Sequence, residues 1–144
     1  MKVLGIIPAR YGSTRFPGKP LAMIGEKTMI RRTCEQALKS SLDAVVVATD
    51  DQRVIDEVLG FGGYAVMTRA DHRSGTDRCR EALDLMDGPF DAVVNIQGDE
   101  PFIDPREIDR VAELIRRDDT QLATLARRIT DASRLDDPNV VKVV

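Results

Sequence analysis

The stretch Asp43-Ala44-Val45-Val46-Val47-Ala48-Thr49-Asp50-Asp51 decides the fold. Residues 44–48 are apolar without a break, so neither side of a strand built from them is polar. Such a run belongs to a strand covered on both faces, the situation of a parallel sheet. Asp50 or Asp51 can cap a following helix whose apolar face is Val54, Ile55, Val58 and Leu59, and Gly60 with Gly62-Gly63 ends it. The Asp50-Asp51 pair therefore reads as structural. The alternation continues in both directions. Residues 3–7 read as a first strand, and Met29, Ile30, Thr33, Cys34, Ala37 and Leu38 mark one face of a helix. Residues 64–68 read as a third strand, and Cys79, Ala82, Leu83 and Met86 give a helix that stops at Gly88-Pro89. A fourth strand spans residues 92–96. Asp104-Pro105-Arg106-Glu107 then reads as a capping box with proline at the first helical position, opening a helix that turns Ile108, Val111, Ala112, Leu114 and Ile115 inward. Residues 122–129 predict a fifth strand, and the valine-rich ending at 139–144 another. The order of elements is that of an α/β protein with a mostly parallel sheet flanked by helices.

The chain has 144 residues, 42% hydrophobic and 31% charged, enough for one packed core and against a disordered tail or fibrous repeat. Its net charge of −3 gives no footing for general nucleic-acid or anionic-membrane binding. Cys34 and Cys79 fit no CxxC spacing, which excludes a structural zinc site and reads as two reduced thiols of a cytoplasmic protein. No apolar run approaches the roughly 18 residues of a membrane span, and Pro8 and Arg10 cut the opening apolar stretch short of a signal peptide. The charge is unevenly placed: residues 1–32 carry seven basic side chains and one acid, Glu26, while the rest carries 14 basic and 23 acidic groups. One end of the molecule is thus expected to meet an anion.

In parallel sheets ligands sit at the carboxyl ends of strands. The first such loop reads Pro8-Ala9-Arg10-Tyr11-Gly12-Ser13-Thr14-Arg15-Phe16-Pro17-Gly18-Lys19-Pro20. Two glycines expose backbone N–H groups, and Arg10, Arg15 and Lys19 supply cations, a combination that can wrap a triphosphate. It is not a Walker A loop, because five residues separate the glycines and Pro20 follows the lysine. Among the acidic pairs, Asp99-Glu100 stands apart. It follows the fourth strand through Gln97-Gly98, where the Asp99 carboxylate can face bound phosphates and hold Mg²⁺, a hard ion usually bound through one or two carboxylates plus phosphate oxygens and water. His72, the lone histidine, reads as a hydrogen-bonding residue, and Thr76 or Asp77 as the cap of the helix after it.

The loop at Ile7–Leu21 resembles the signature of the cytidylyltransferases that activate 3-deoxy-manno-octulosonate (KDO), the CMP-KDO synthetases. The resemblance continues through Ala48-Thr49-Asp50-Asp51, His72-Arg73-Ser74-Gly75-Thr76-Asp77-Arg78, Asn95-Ile96-Gln97-Gly98-Asp99-Glu100-Pro101 and Asn139-Val140-Val141-Lys142-Val143-Val144. It implies a Rossmann-like nucleotidyltransferase fold and transfer of CMP from CTP to KDO with release of pyrophosphate, for lipopolysaccharide biosynthesis. It also implies a homodimer with CTP and KDO as small-molecule substrates, and no nucleic acid or membrane. Arg10, Lys19 and Asp99 are the implied catalytic residues, with Asp99 the Mg²⁺ ligand. Pro8, Ala9, Arg10, Arg15, Lys19, Arg73, Ser74, Arg78 and Gln97 are the implied substrate contacts: Ser74 and the backbone of residues 72–74 for cytosine, Gln97 for base or sugar, and Arg78 for the sugar acid's carboxylate. Residues 1–144 are expected to be the nucleotide-binding part of a single α/β nucleotidyltransferase domain, with a sugar-binding part and a second metal-binding aspartate in later sequence. Three rivals stay open: an acylneuraminate cytidylyltransferase, a nucleotide-binding module without turnover, and a flavodoxin-like relative that binds another phosphate.

Overall fold

The computed structural model describes residues 1–12 and 16–143; Arg15, expected to meet substrate, lies outside them. Strand β1 (Val3–Pro8) is followed by a hairpin of β2 (Met23–Ile24) and β3 (Lys27–Thr28), helix α1 (Met29–Ala37), β4 (Ala44–Thr49), α2 (Gln52–Gly60), β5 (Ala65–Met67), α3 (Gly75–Leu85), β6 (Ala92–Asn95) and α4 (Pro105–Ile115). The four longer-range strands form one parallel sheet in the order β5-β4-β1-β6. The mostly parallel α/β sheet read from the sequence is therefore present.

Side chains alternate across the two faces of this sheet. Val3, Ile7, Val45 and Val47 point to one side and pack with Ile30, Cys34 and Ala37 of α1, Val54 and Val58 of α2 and Ile108 of α4. Leu4, Ile6, Val46 and Ala48 point to the other and pack on Cys79 and Ala82 of α3. Burial on both faces is what made the central strands uninterrupted apolar runs. Asp51 caps α2 by accepting from the Arg53 N–H. Gly62 and Gly63 close that helix with back-bonds to the carbonyls of Leu59 and Val58, a Schellman ending.

Four expectations are corrected. Residues 122–129 form no strand, and neither do residues 139–143. A strand exists through its ladder of hydrogen bonds, and among the described residues neither segment has one; Leu122 and Val141 stand almost fully exposed. Asp104 does cap α4, with Pro105 in the first turn, but it accepts from the Arg106 N–H and the reciprocal Glu107 half of a capping box is absent. The complete box lies at α3 instead. Ser74, and not Thr76 or Asp77, is the cap there: its hydroxyl accepts from the Asp77 N–H, and the Asp77 carboxylate accepts from the Ser74 N–H. The β2–β3 hairpin was not foreseen. Its signal is the two-residue Gly25-Glu26 turn, with glycine at the first loop position and φ +65°, the arrangement of a type II′ hairpin.

Both cysteines are free and buried, one on each face of the sheet. Burial pushes each thiol up to about 11, so neither forms much thiolate at neutral pH. A thiol reagent such as DTNB at pH 8 should leave both unmodified in the native protein and titrate two in denaturant; rapid labelling of either without unfolding contradicts this packing.

Candidate active site

In the sheet order β5-β4-β1-β6 the chain runs outward from β1 through β4 to β5 and returns to β6 on the far side of β1. Such a reversal opens a crevice at the carboxyl ends of the two strands flanking it. A trough lies there, made of two adjoining cavities of about 280 and 230 Å³ that share Pro8, Arg10 and Gln97. Gly98 lets the two strand ends approach: a Cβ on it would lie 2.8 Å from the Pro8 carbonyl oxygen. Thr33 of α1 anchors the same turn by donating to the Gly98 carbonyl at 3.3 Å.

The first lobe is lined by Pro8, Ala9, Arg10, Lys19, Pro20, Met29, Gln97, Gly98 and Asp99. Ala9 is fixed by its N–H to the Ala48 carbonyl, and Gly18 by its N–H to the Tyr11 carbonyl. Lys19 begins a 3-10 turn after Gly18, and its Nζ lies 2.6 Å from Asp99 Oδ2. The two side chains keep 39% and 52% of their surface in water, so the pair adds only about 0–1 kcal/mol to stability. A cation and a carboxylate exposed together in a cavity are better placed for an incoming ligand than for holding the fold. Among the described residues no group of three or more His, Cys, Asp or Glu side chains is set to hold a metal unaided. Asp99 offers a single carboxylate, which suits Mg²⁺ arriving with phosphate oxygens and water.

The second lobe is lined by Pro8, Arg10, His72, Arg73, Ser74, Gly75, Arg78 and Gln97. His72 is nearly buried and its ring pairs with the Glu81 carboxylate, which also accepts the Arg69 N–H at 3.0 Å. These bonds, the His72 one foremost, hold the Glu81 carboxyl below its ordinary value. They fasten the loop before α3 to the body of that helix.

A family profile described as Cytidylyltransferase matches residues 4–144. The chain belongs to the cytidylyltransferase family. It is 57% identical over 130 residues to a 3-deoxy-manno-octulosonate cytidylyltransferase of Bacteroides thetaiotaomicron, an alignment covering 90% of this chain and 52% of the relative. It is 52% identical to an 8-amino-3,8-dideoxy-manno-octulosonate cytidylyltransferase of Shewanella amazonensis, covering 100% of this chain and 60% of the relative. A solved CMP:2-keto-3-deoxy-manno-octonic acid synthetase complexed with CTP superposes with a TM-score of 0.77 at 48% identity, covering 81% of this chain and 48% of that one. The chain spans about half the length of these relatives.

Of the site residues expected from sequence, the cytidylyltransferase trough gathers Pro8, Ala9, Arg10, Lys19, Arg73, Ser74, Arg78, Gln97 and Asp99. Two of them are less available than expected. The Ser74 hydroxyl is occupied by its cap, donating to Asp77 Oδ2 at 2.7 Å. The Arg78 side chain is 3% exposed and bound to Asp50 and Thr68, so a sugar carboxylate would have to displace a formed ion pair. The basic excess of residues 1–32 is also only partly the site's: Lys27 and Arg31 are spent on Glu35, and Arg32 on the Ile24 carbonyl. Sequence reasoning set Asp50 aside as a possible helix cap and missed that its carboxylate binds the Tyr11 N–H and Arg78.

Gly98→Ala should push the ends of β1 and β6 apart and cost about 1–3 kcal/mol, read by urea denaturation; an unchanged midpoint would mean the turn gives way. Because the folded Glu81 carboxyl is held low, its stabilisation is fully present above the ordinary glutamate value of 4.5 and lost as pH falls through the lower folded value. Glu81→Gln should accordingly flatten the acid limb of a Tm–pH curve below about pH 4.5; an unaltered limb shows that other carboxylates govern it.

Proposed function

We propose that this chain binds CTP and supplies the nucleotide half of a reaction that transfers CMP to KDO. The observation that carries this reading is the Lys19–Asp99 pair, exposed in the lobe beside Arg10 at the sheet's reversal point. Its support is the high identity to relatives named for that reaction and the likeness to a synthetase solved with CTP. A hydroxyl of the sugar acid attacks the α-phosphorus and the bond to the departing pyrophosphate breaks, so the protein's task is positioning and charge neutralisation. Arg10 and Lys19 hold the phosphates, the residues at 72–74 and Gln97 receive the base, and the Ala9 backbone lets the nucleotide lie close to β1. Asp99 would hold Mg²⁺, which offsets negative charge on the phosphates. The same proposal includes a homodimer and a cytoplasmic location. Among the described residues no helix is long and apolar enough to cross a membrane.

The relative named for an 8-amino-3,8-dideoxy sugar favours a second reading in which the acceptor is that amino sugar. A pyrophosphate-release assay with CTP, Mg²⁺ and either KDO, the 8-amino sugar or an acylneuraminate separates these. Release with KDO supports the proposal, release with only one of the others reassigns the sugar, and CTP binding without release marks a nucleotide-binding module. No CTP binding overturns the reading.

Lys19→Met and Asp99→Asn each remove half of an exposed pair, so Tm should move by no more than about 2–3 °C, in keeping with about 0–1 kcal/mol. Turnover should fall by roughly two to three orders of magnitude for each, the loss typical of one electrostatic contact to transition-state charge; near-normal turnover in either sinks that role.

A further inference from the structure

We propose that Asp50 is a positioning residue that sets the two walls of the trough against each other, an inference that rests on the CTP-binding reading. Asp50 follows β4 beneath the trough. Its Oδ1 accepts the Tyr11 N–H at 3.2 Å, next to Arg10, and its Oδ2 accepts Arg78 Nη2 at 3.1 Å, on α3 just after Arg73 and Ser74. Arg78 is held from its other nitrogen, Nη1 donating to Thr68 Oγ1 at 2.5 Å, and Thr68 in turn donates to the Thr49 carbonyl at 3.0 Å. With side chains 3% and 12% exposed, Arg78–Asp50 is the most enclosed ion pair among the described residues.

The neighbouring acid does a different job. Asp51 caps α2 and grips Arg53, whose guanidinium lies 3.6 Å from the centroid of the Tyr11 ring. Asp50 is therefore not needed to start the helix. A buried ion pair is weak evidence for stability, because well-packed apolar side chains commonly serve as well. What an apolar replacement cannot supply is two acceptor oxygens aimed at two different segments. One of these segments carries Arg10, which lines both lobes, and the other follows Arg73 and Ser74, which line the second only, so a single carboxylate fixes the wall of the base lobe against the wall it shares with the phosphate lobe.

Asp50→Asn tests this with almost no change of volume. An amide has one acceptor oxygen, so it can serve Tyr11 or Arg78 but not both. In the variant, hydrogen exchange by NMR should show lost protection at the Tyr11 amide or the Arg78 guanidinium, with the β1 and β4 amides of Ile6 and Val46 as protected as before. Calorimetry should show CTP binding weakened about tenfold, a change on the scale of one charged hydrogen bond. Thr68→Val, which releases Arg78 from its far side, should weaken CTP about threefold and serves if Asp50→Asn does not fold. Unchanged CTP affinity in the variants overturns the positioning role, as does loss of protection at Ile6 and Val46 in step with Tyr11, which marks a general structural defect. An unsubstituted chain that gives no heat with CTP overturns the nucleotide reading instead, and the positioning role falls with it.

Discussion

Gly98 passes so close to the end of β1 that a single added carbon would stand 2.8 Å from the Pro8 carbonyl. The rest of the site depends on that approach. It brings Gln97 and Asp99, from the strand on one side of the reversal, against Pro8, Ala9 and Arg10 from the other. The carboxyl ends of β1 and β6 consequently form one floor, and the side chains above it come from segments about 80 to 90 residues apart in sequence. Thr33 holds the turn from below through the Gly98 carbonyl, so α1 contributes to the site while none of its charged residues does.

Much of the fold was legible because its strands are unusual. Residues 3–8 and 44–48 are apolar without a break since α1, α2 and α4 cover one face and α3 the other. That pattern is local and survives in a bare sequence. Residues 122–129 carry the composition of a strand too, yet composition does not supply the ladder partner that makes one. The capping boxes illustrate the same limit. Asp104 with Glu107 and Ser74 with Asp77 have the same spacing, yet only the second closes, while both oxygens of Asp104 are taken by Arg106.

The site was legible to a different degree. Lys19 and Asp99 stood out because each lies in a connection that leaves the carboxyl end of a strand, and in a parallel sheet such connections converge. The surplus of positive charge in residues 1–32 was a partial guide, for Arg10 and Lys19 line the trough while Lys27 and Arg31 neutralise Glu35. Asp50 was hidden by its neighbour. A helix cap explains an acid pair fully at the level of sequence, and nothing local reveals that one of its two carboxylates reaches residues 39 positions back and 28 forward.

The two ion pairs of the trough differ in a way that follows from what each contacts. Arg78–Asp50 is enclosed and hydrogen-bonded from outside the pair, so separating it would leave an uncompensated buried charge. Lys19–Asp99 is half in water, and water repays most of the cost of parting it. Under the proposed function that contrast divides the labour. The enclosed pair keeps its partners and holds the walls at a fixed separation. The exposed pair can open, because phosphates offer Lys19 a stronger anion than Asp99 does and leave the carboxylate vacant for a divalent ion. Nucleotide and metal would then each make room for the other between walls that the enclosed pair ties together.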